Sequence, residues 1–493
     1  MLESKDHGKK NHFSKKNRTN QSRMKAASPL VLGIVLGVIL VVVLIATFTY
    51  VSSSSKNSNR NKKNETKTEI SNDVKEENGQ QGNTLDPNSD KEVQPTDEAA
   101  QEEARLAQEK EERETLIQNA DLYAAQYDYK KAKKLIKKYE GYEQYEELTS
   151  KLEEYKNKEA TLVPYGAFES INEISHVFFH SLIVDTDKAF DGDYMENGYN
   201  YWMTTVSEFK AMLNEMYQNG YVLVSIHDIV SEKKQEDGTV KMELGDLLLP
   251  PDKKPFVLSQ DDTNFYEYMK EDGFATRILI DENGYPACEV IRDGKSIIDR
   301  DFDVVPILEK FIEEHPDFSY HGARGLIGVT GYEGVMGYRT NEKEAPNYKE
   351  LVEEATKTAD RLKELGWEFA SHSYGHGHMG KMSTAEVKQD SDHWDFDIAS
   401  IVGKTDVLLY PYGEEIEDTL KKYTTDKYPY LYKLGFRYFC GVCSYPWIQV
   451  QDEYVRMTRR NLDGYTMHFY PERLSDLFDV SKVYDSSRPE FKE

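Results

Sequence analysis

The sequence predicts an α/β fold, a closed or nearly closed (β/α) barrel set behind an apolar run of membrane length and a helical spacer. Three observations predict it. After residue 160, short aromatic and β-branched runs alternate with amphipathic helical patterns, as βα units of a parallel sheet require. Three of those runs end in dense polar clusters, and chemistry in such barrels belongs at strand C-terminal ends. Before residue 160 the composition changes three times, from basic to apolar to polar to charged and helical.

The N-terminal segments come first. Residues 1–28 carry eight Lys or Arg against Glu3 and Asp6, a surplus of six, and read as a basic cytoplasmic tail. The whole chain of 493 residues carries −26, so the remainder sits near −32, which argues against a nucleic-acid partner. Residues 29–51 (PLVLGIVLGVILVVVLIATFTYV) hold no charge and are long enough to span a bilayer as a helix. A signal peptide would have a shorter apolar core and a small-residue cleavage site. The expectation is an uncleaved, single-pass anchor with the positive flank inside and the rest of the chain extracellular. Residues 52–97 are Ser, Asn, Lys, Glu, Gln and Asp with almost nothing apolar, a disordered linker. In residues 98–158, Leu116, Ala120, Tyr123 and Tyr127 recur at helical spacing. The phrase YDYKKA looks like the middle of one tetratricopeptide repeat. A lone repeat cannot bury its own face, so this region reads as a helical spacer packed on the next domain, with any protein partner unknown.

Residues 160–493 form the globular domain. Strands are expected at His176–Val184, Tyr221–Ile226, Pro255–Ser259, Gly325–Thr330, Trp367–Ala370 and Val407–Tyr410. Helices are expected at Val206–Asn219, Val304–Glu314, Tyr348–Leu365 and Glu386–Val402.

The strand PFVLS ends in Gln260-Asp261-Asp262, WEFA in Ser371-His372-Ser373-Tyr374-Gly375-His376-Gly377-His378, and VLLY in Pro411-Tyr412-Gly413. Two carboxylates and two histidines placed this way can form a two-His-one-carboxylate site and leave one aspartate as a base. A divalent ion such as zinc polarises a carbonyl and lowers the pKa of its water. A neighbouring carboxylate can take the proton. Each piece alone is weak: paired aspartates after a strand are commonly a solvated turn, and spacing does not choose between His376 and His378. The combination, in order and at strand ends, carries the reading.

These motifs resemble the polysaccharide deacetylases, carbohydrate esterases with a NodB-like domain, over residues ~170–480. LSQDDTNF is similar to their Asp-Asp motif, His372-Ser373-Tyr374-Gly375-His376 to H-S/T-x-x-x-H, and Leu409-Tyr410-Pro411-Tyr412 in part to R-x-P-Y. The resemblance implies a distorted seven-stranded barrel and a hydrolase removing N-acetyl groups from an extracellular amino-sugar polymer. It implies Asp261 as general base, Asp262, His372 and His376 as ligands of a divalent metal, most readily Zn2+, and the Tyr412 N–H as an oxyanion donor. It favours His376 over His378. Thr263 replaces the usual glycine, and Leu409 the arginine that would hold the base. YPYG without arginine looks like the branch acting on poly-N-acetylglucosamine, which has a permuted strand order and an early histidine. That makes His180 in FFHSLI the candidate general acid, with His468 in YTMHFY as runner-up. A core histidine is the plain alternative for His180.

Gly273–Asp303 contains RILIDENGYPACEVI, a hairpin turning at Asn283-Gly284. It could shape the rim or be decoration. Cys440 and Cys443 end an apolar strand and read as buried thiols, oxidised only if the exterior acts on them; a zinc ribbon would need a second pair and only Cys288 remains. The missing arginine leaves a second reading open, a catalytically silent glycan-binding protein of the same fold. The sequence does not choose among peptidoglycan, poly-N-acetylglucosamine and chitin-like polymers.

Overall fold

A computed structural model describes residues 97–165 and 171–492. The basic tail, the apolar run 29–51 and nearly all of the linker lie outside the described residues. Among the described residues no helix is long and apolar enough to cross a membrane.

Eight parallel strands organise the globular part: β1 (Ser175–Phe179), β2 (Tyr221–Leu223), β3 (Lys254–Gln260), β4 (Leu326–Val329), β5 (Glu368–Ser371), β6 (Val407–Leu409), β7 (Tyr438–Val442) and β8 (Val455–Asn461). Seven of them close a ring in the order β1-β3-β4-β5-β6-β7-β8 and back to β1. The seam is the distorted part. β3 offers one edge to two partners: β2 pairs with its first half, Tyr221 opposite Lys254, and β4 with its last residues, Leu326 opposite Ser259 and Ile327 opposite Gln260. The barrel is therefore a seven-stranded parallel ring with β2 wedged below the seam.

Strand alternation sorts the side chains. Val177, Phe179, Phe256, Leu258, Ile327, Val329 and Phe369 join the core shared with the outer helices. The alternate residues His176, Phe178, Ser259, Ala370, Leu409, Cys440 and Arg459 point the other way, into the barrel. Extending that inward set past the strand ends reaches His180, Asp261 and His372, which is why the site forms at this mouth.

The strand carrying the early histidine is shorter than expected. It stops at Phe179, so His180 stands just beyond its end. Helices Val206–Gln218, Val304–Glu314 and Tyr348–Leu365 lie where the periodicity placed them. The expected helix Glu386–Val402 is instead Thr384–His393, a wider turn at Trp394–Ile398, and Ala399–Val402, bent where Trp394 donates its indole N–H to the Val329 carbonyl. Gly273–Asp303 is a three-stranded antiparallel sheet, Arg277–Ile280, Pro286–Arg292 and Lys295–Asp299, one strand more than the hairpin expected.

Ahead of the barrel, α1 (Asp97–Ala125), α2 (Tyr129–Ile136) and α3 (Glu146–Glu159) pack together. Ala120, Tyr127, Ile136 and Leu148 share an apolar cluster with Val222, Tyr320 and Leu326. Tyr127 donates its hydroxyl to the Asp317 carbonyl at 2.9 Å, and His321 donates its N–H to the Gln126 carbonyl at 2.8 Å. The helices thus sit against the strand-start end of the barrel, away from the mouth.

Candidate active site and metal centre

The backbone turns sharply where β3, β5 and β6 end. Asp262 (φ 52°), Phe265 (52°), Ser373 (55°), His376 (50°) and Tyr412 (58°) all occupy the left-handed region. Non-glycine residues pay to sit there, and they persist only where surroundings over-determine them. The surroundings here do so. Thr263 N–H donates to Gly328 O at 3.0 Å, and Asn264 exchanges hydrogen bonds with Thr330, its amide donating at 3.1 Å and its carbonyl accepting from Thr330 N–H at 3.0 Å. Asp390, from the helix after β5, accepts the N–H groups of Tyr374 at 2.9 Å and Gly375 at 2.8 Å and so shapes the His372–His376 loop.

Asp262, His372 and His376 offer ligand atoms that all lie within 4.8 Å of one another. The hydrogen bonds around them suit a metal. His372 Nδ1 lies 2.8 Å from the Leu409 carbonyl, an acceptor only, so Nδ1 carries the proton and Nε2 keeps its lone pair. His376 Nδ1 meets the Tyr412 hydroxyl at 3.1 Å. Tyr266 donates its hydroxyl to Asp262 Oδ1 at 2.6 Å, while Oδ2 lies 3.6 Å from His376 Nε2. Burial lowers the pKa of His376 and, although Asp262 opposes it, the net direction is down, toward the neutral imidazole a cation needs. The donor set fits a divalent cation.

His378 is turned elsewhere. Its Nδ1 lies 3.0 Å from Glu414 Oε2, and its ring stacks on Tyr412 with centroids 4.1 Å apart. Tyr412 stands between the two histidines, edge-on to His376 and face-on to His378.

Asp261 is buried beside this cluster, with Oδ2 3.8 Å from His372 Nε2. Its partner was not recognised in the sequence. Arg459 of β8 directs one guanidinium nitrogen at both carboxylate oxygens, at 2.5 and 2.7 Å, and is itself fully buried over the Phe178 ring. Burial alone would raise the pKa of Asp261; Arg459, then His372 and His180, outweigh it and hold the carboxyl at about 2. The guanidinium beside Asp261 thus comes from β8, not from the strand that ends at Leu409. Gly328 leaves room for the pair: a Cβ there would stand 3.3 Å from Asp261 Oδ1 and 3.0 Å from both Gln260 O and a Leu409 methyl.

His180 is half-buried at the same mouth, within electrostatic reach of Asp261, His376 and Asp463. Its Nδ1 and the Asp463 Oδ2 are both buried without a protein partner among the described residues. Asp463 caps the helix Gly464–Phe469 by accepting the Thr466 N–H at 2.8 Å, and burial raises its pKa. His468, on that helix, faces outward: it is exposed, stacks on Phe491 at 4.2 Å, and lines a separate surface cleft with Glu215 and Lys482. The structure thus gathers Asp261, Asp262, His180, His372, His376 and Tyr412, and leaves His378 and His468 outside. Cys440 and Cys443 are free thiols, Cys440 buried inside β7 with its pKa pushed up to about 12 by burial.

Residues 345–431 match the family model described as polysaccharide deacetylase, a span that includes His372, His376 and Tyr412. Similar solved structures include a Streptococcus pyogenes deacetylase in complex with acetate, at 15% identity over 62% of this chain and 97% of that one, with a TM-score of 0.31. A Bacillus cereus polysaccharide deacetylase shares 12% identity over 63% and 69%, with a TM-score of 0.33. A de-N-acetylase from Aggregatibacter actinomycetemcomitans shares 13% over 62% and 99%, with a TM-score of 0.34. No curated protein matches the chain.

Proposed function

We propose that this chain is a metal-dependent polysaccharide N-deacetylase, with Asp262, His372 and His376 as metal ligands. The observation that carries the reading is the Asp261 carboxylate, ionised and fixed by Arg459 directly beside that donor set. A site that only bound glycan would have no use for a buried base next to a metal triad. A divalent cation there, zinc by preference, would supply Lewis acidity toward the acetyl carbonyl and toward water.

The side chains divide the remaining work. Asp261 accepts the proton of the attacking water. The Tyr412 N–H, turned by its positive φ at the end of β6, helps hold the oxygen that becomes negative. His180 donates a proton to the nitrogen as the C–N bond breaks, because an amine leaves poorly without one. The silent glycan-binding alternative rested on the absent arginine, and Arg459 removes that support. The permuted strand order, with β1 and His180 ahead of the Asp-Asp strand, favours the branch acting on poly-N-acetylglucosamine.

The reading places the catalytic domain outside the cell on a single N-terminal anchor, supported by the basic flank and the charge-free run 29–51. Protease added to intact cells should then remove the domain and spare the N-terminus. The central test is acetate release from N-acetylated glucosamine polymer by the metal-loaded full chain, against Asp261→Asn. The variant should keep its metal and lose turnover by about 10²–10⁴-fold, the usual contribution of general-base catalysis. A wild type that binds metal but releases no acetate would overturn the enzyme reading.

A further inference from the structure

Three stacked tyrosines form a ledge beside the metal ligand Asp262. Tyr266, whose hydroxyl holds Asp262 Oδ1, is buried. Tyr268 lies nearly parallel to it, 10° between planes and 5.9 Å between centroids; Tyr332 does likewise at 17° and 5.3 Å. The outer two are open to solvent, Tyr268 by 55% and Tyr332 by 40%. Large exposed aromatics cost solubility and are not what a surface loop needs for folding.

The ledge is built, not incidental. Tyr268 follows β3 and Tyr332 follows β4, so two separate loops must be held in register. Arg339 does this, donating to the carbonyls of Asn264 (3.2 Å), Phe265 (2.5 Å) and Glu333 (2.9 Å) and to the Glu267 carboxylate (3.2 Å). Glu267 N–H also donates to Glu333 Oε2 at 3.1 Å. Beneath, Tyr266 packs with Tyr199, Met269 and Phe274. The rings are fixed before any ligand arrives, which lowers the ordering cost of binding.

We infer that Tyr268 and Tyr332 form a pyranose-stacking subsite for the sugar next to the one whose acetamido group is hydrolysed; this rests on the deacetylase reading above. A β-linked glucosamine ring carries its substituents equatorially and presents axial C–H groups on its faces. Those slightly positive hydrogens suit the electron-rich face of an aromatic ring, and the hydroxyl rim stays in water. Because Tyr266 holds Asp262, a sugar on the ledge and a sugar at the metal would belong to one oligomer. The substrate class is therefore an oligomer or polymer, and a free monosaccharide leaves the ledge empty.

The test is calorimetric titration of the metal-loaded full chain with N-acetylglucosamine oligomers from di- to hexasaccharide, with acetate release followed in parallel. Wild-type affinity should rise with length. The Y268L/Y332L pair, which keeps bulk but removes both ring faces, should flatten that rise, losing on the order of tenfold on the hexasaccharide. Y268F/Y332F keeps the faces and should bind as wild type. Undiminished affinity in the Leu pair, equal loss in the Phe pair, or a wild type that binds no oligomer would each overturn the ledge. Length-dependent binding that the Leu pair abolishes, without acetate release from any oligomer, would sustain the ledge and overturn the deacetylase reading instead.

Discussion

Arg459 and Asp261, 198 residues apart in the chain, meet as a fully buried ion pair with contacts of 2.5 and 2.7 Å at the mouth of the barrel. The pair joins β8 to the end of β3 across the intervening β1, so it fixes the base relative to the ring as well as setting its charge.

Arg459→Met should therefore do two things. Removing one partner of a buried pair leaves an uncompensated charge, at a cost of about 3–5 kcal/mol. Asp261 has its folded pKa lowered to about 2, so the pair's stabilisation is present above the ordinary value near 3.8 and is lost as pH falls toward 2. The gap in unfolding temperature between wild type and variant should be widest near neutrality and narrow on acidification. The carboxyl of the variant, buried without its counter-charge, should titrate higher and move the acid limb of the activity profile to higher pH. Melting curves that run parallel at every pH would contradict this.

The choice between His376 and His378 has a direct measurement. His372→Ala and His376→Ala should each abolish stoichiometric divalent metal in the purified protein, while His378→Ala keeps it, because His378 is committed to Glu414. Retention in His376→Ala with loss in His378→Ala would reverse the assignment.

A second histidine gives a pH test free of the metal. At the strand-start end, His227 Nδ1 lies 2.8 Å from Glu368 Oε2 and Nε2 3.1 Å from Asp406 Oδ1. Partial burial pulls its pKa down, but hydrogen bonds to Asp406 and Glu368 outweigh that and raise it to about 10. A raised folded value means that the stabilisation is complete below the ordinary 6.5 and disappears as pH rises through about 10. Neighbouring Asp228, raised to about 6 by burial, has finished titrating by then. The stability advantage of wild type over His227→Gln, read by thermal unfolding, should shrink between pH 7.5 and 10. An advantage that stays constant over that range would exclude the charged triad as its source.

β3, β5 and β6 were legible because each is an apolar run ending in chemistry. β8 was not, and the reason is physical. VRMTRRN carries Arg456, Arg459 and Arg460, all buried, and hydropathy takes arginine for an exposed residue. Each is paired with a carboxylate from outside the strand: Glu415 at 2.7 Å, Asp261 at 2.5 Å and Asp476 at 2.8 Å. Only three-dimensional pairing makes that strand affordable, so the residue that fixes Asp261 escaped notice while Asp261 did not. Tyr266 was hidden differently: it sits in the Asp-Asp motif's own tail, where nothing local says that its hydroxyl returns to Asp262. Histidine spacing left 376 and 378 open because the deciding element, the Tyr412 ring between them, comes from another strand.

The general acid offers the sharpest comparison. Breaking an amide needs a proton on nitrogen, from a donor that reaches the reacting centre. His180 stands past the end of β1, half-buried and within electrostatic reach of Asp261 and His376. His468 lies on the outer side of the Gly464–Phe469 helix, stacked on Phe491. His180→Ala should retain metal and lose turnover by about 10²–10⁴-fold, and the alkaline limb of the rate profile, which records deprotonation of the acid, should vanish with it. His468→Ala should retain both turnover and that limb, with at most a small loss of stability from the missing ring contact. A substrate whose leaving group needs no proton, such as an activated aryl acetate, separates acid catalysis from disrupted geometry: His180→Ala should hydrolyse it with far less impairment than the amide. Equal impairment on both substrates would make His180 structural, and loss of the alkaline limb only in His468→Ala would move the acid to the other histidine.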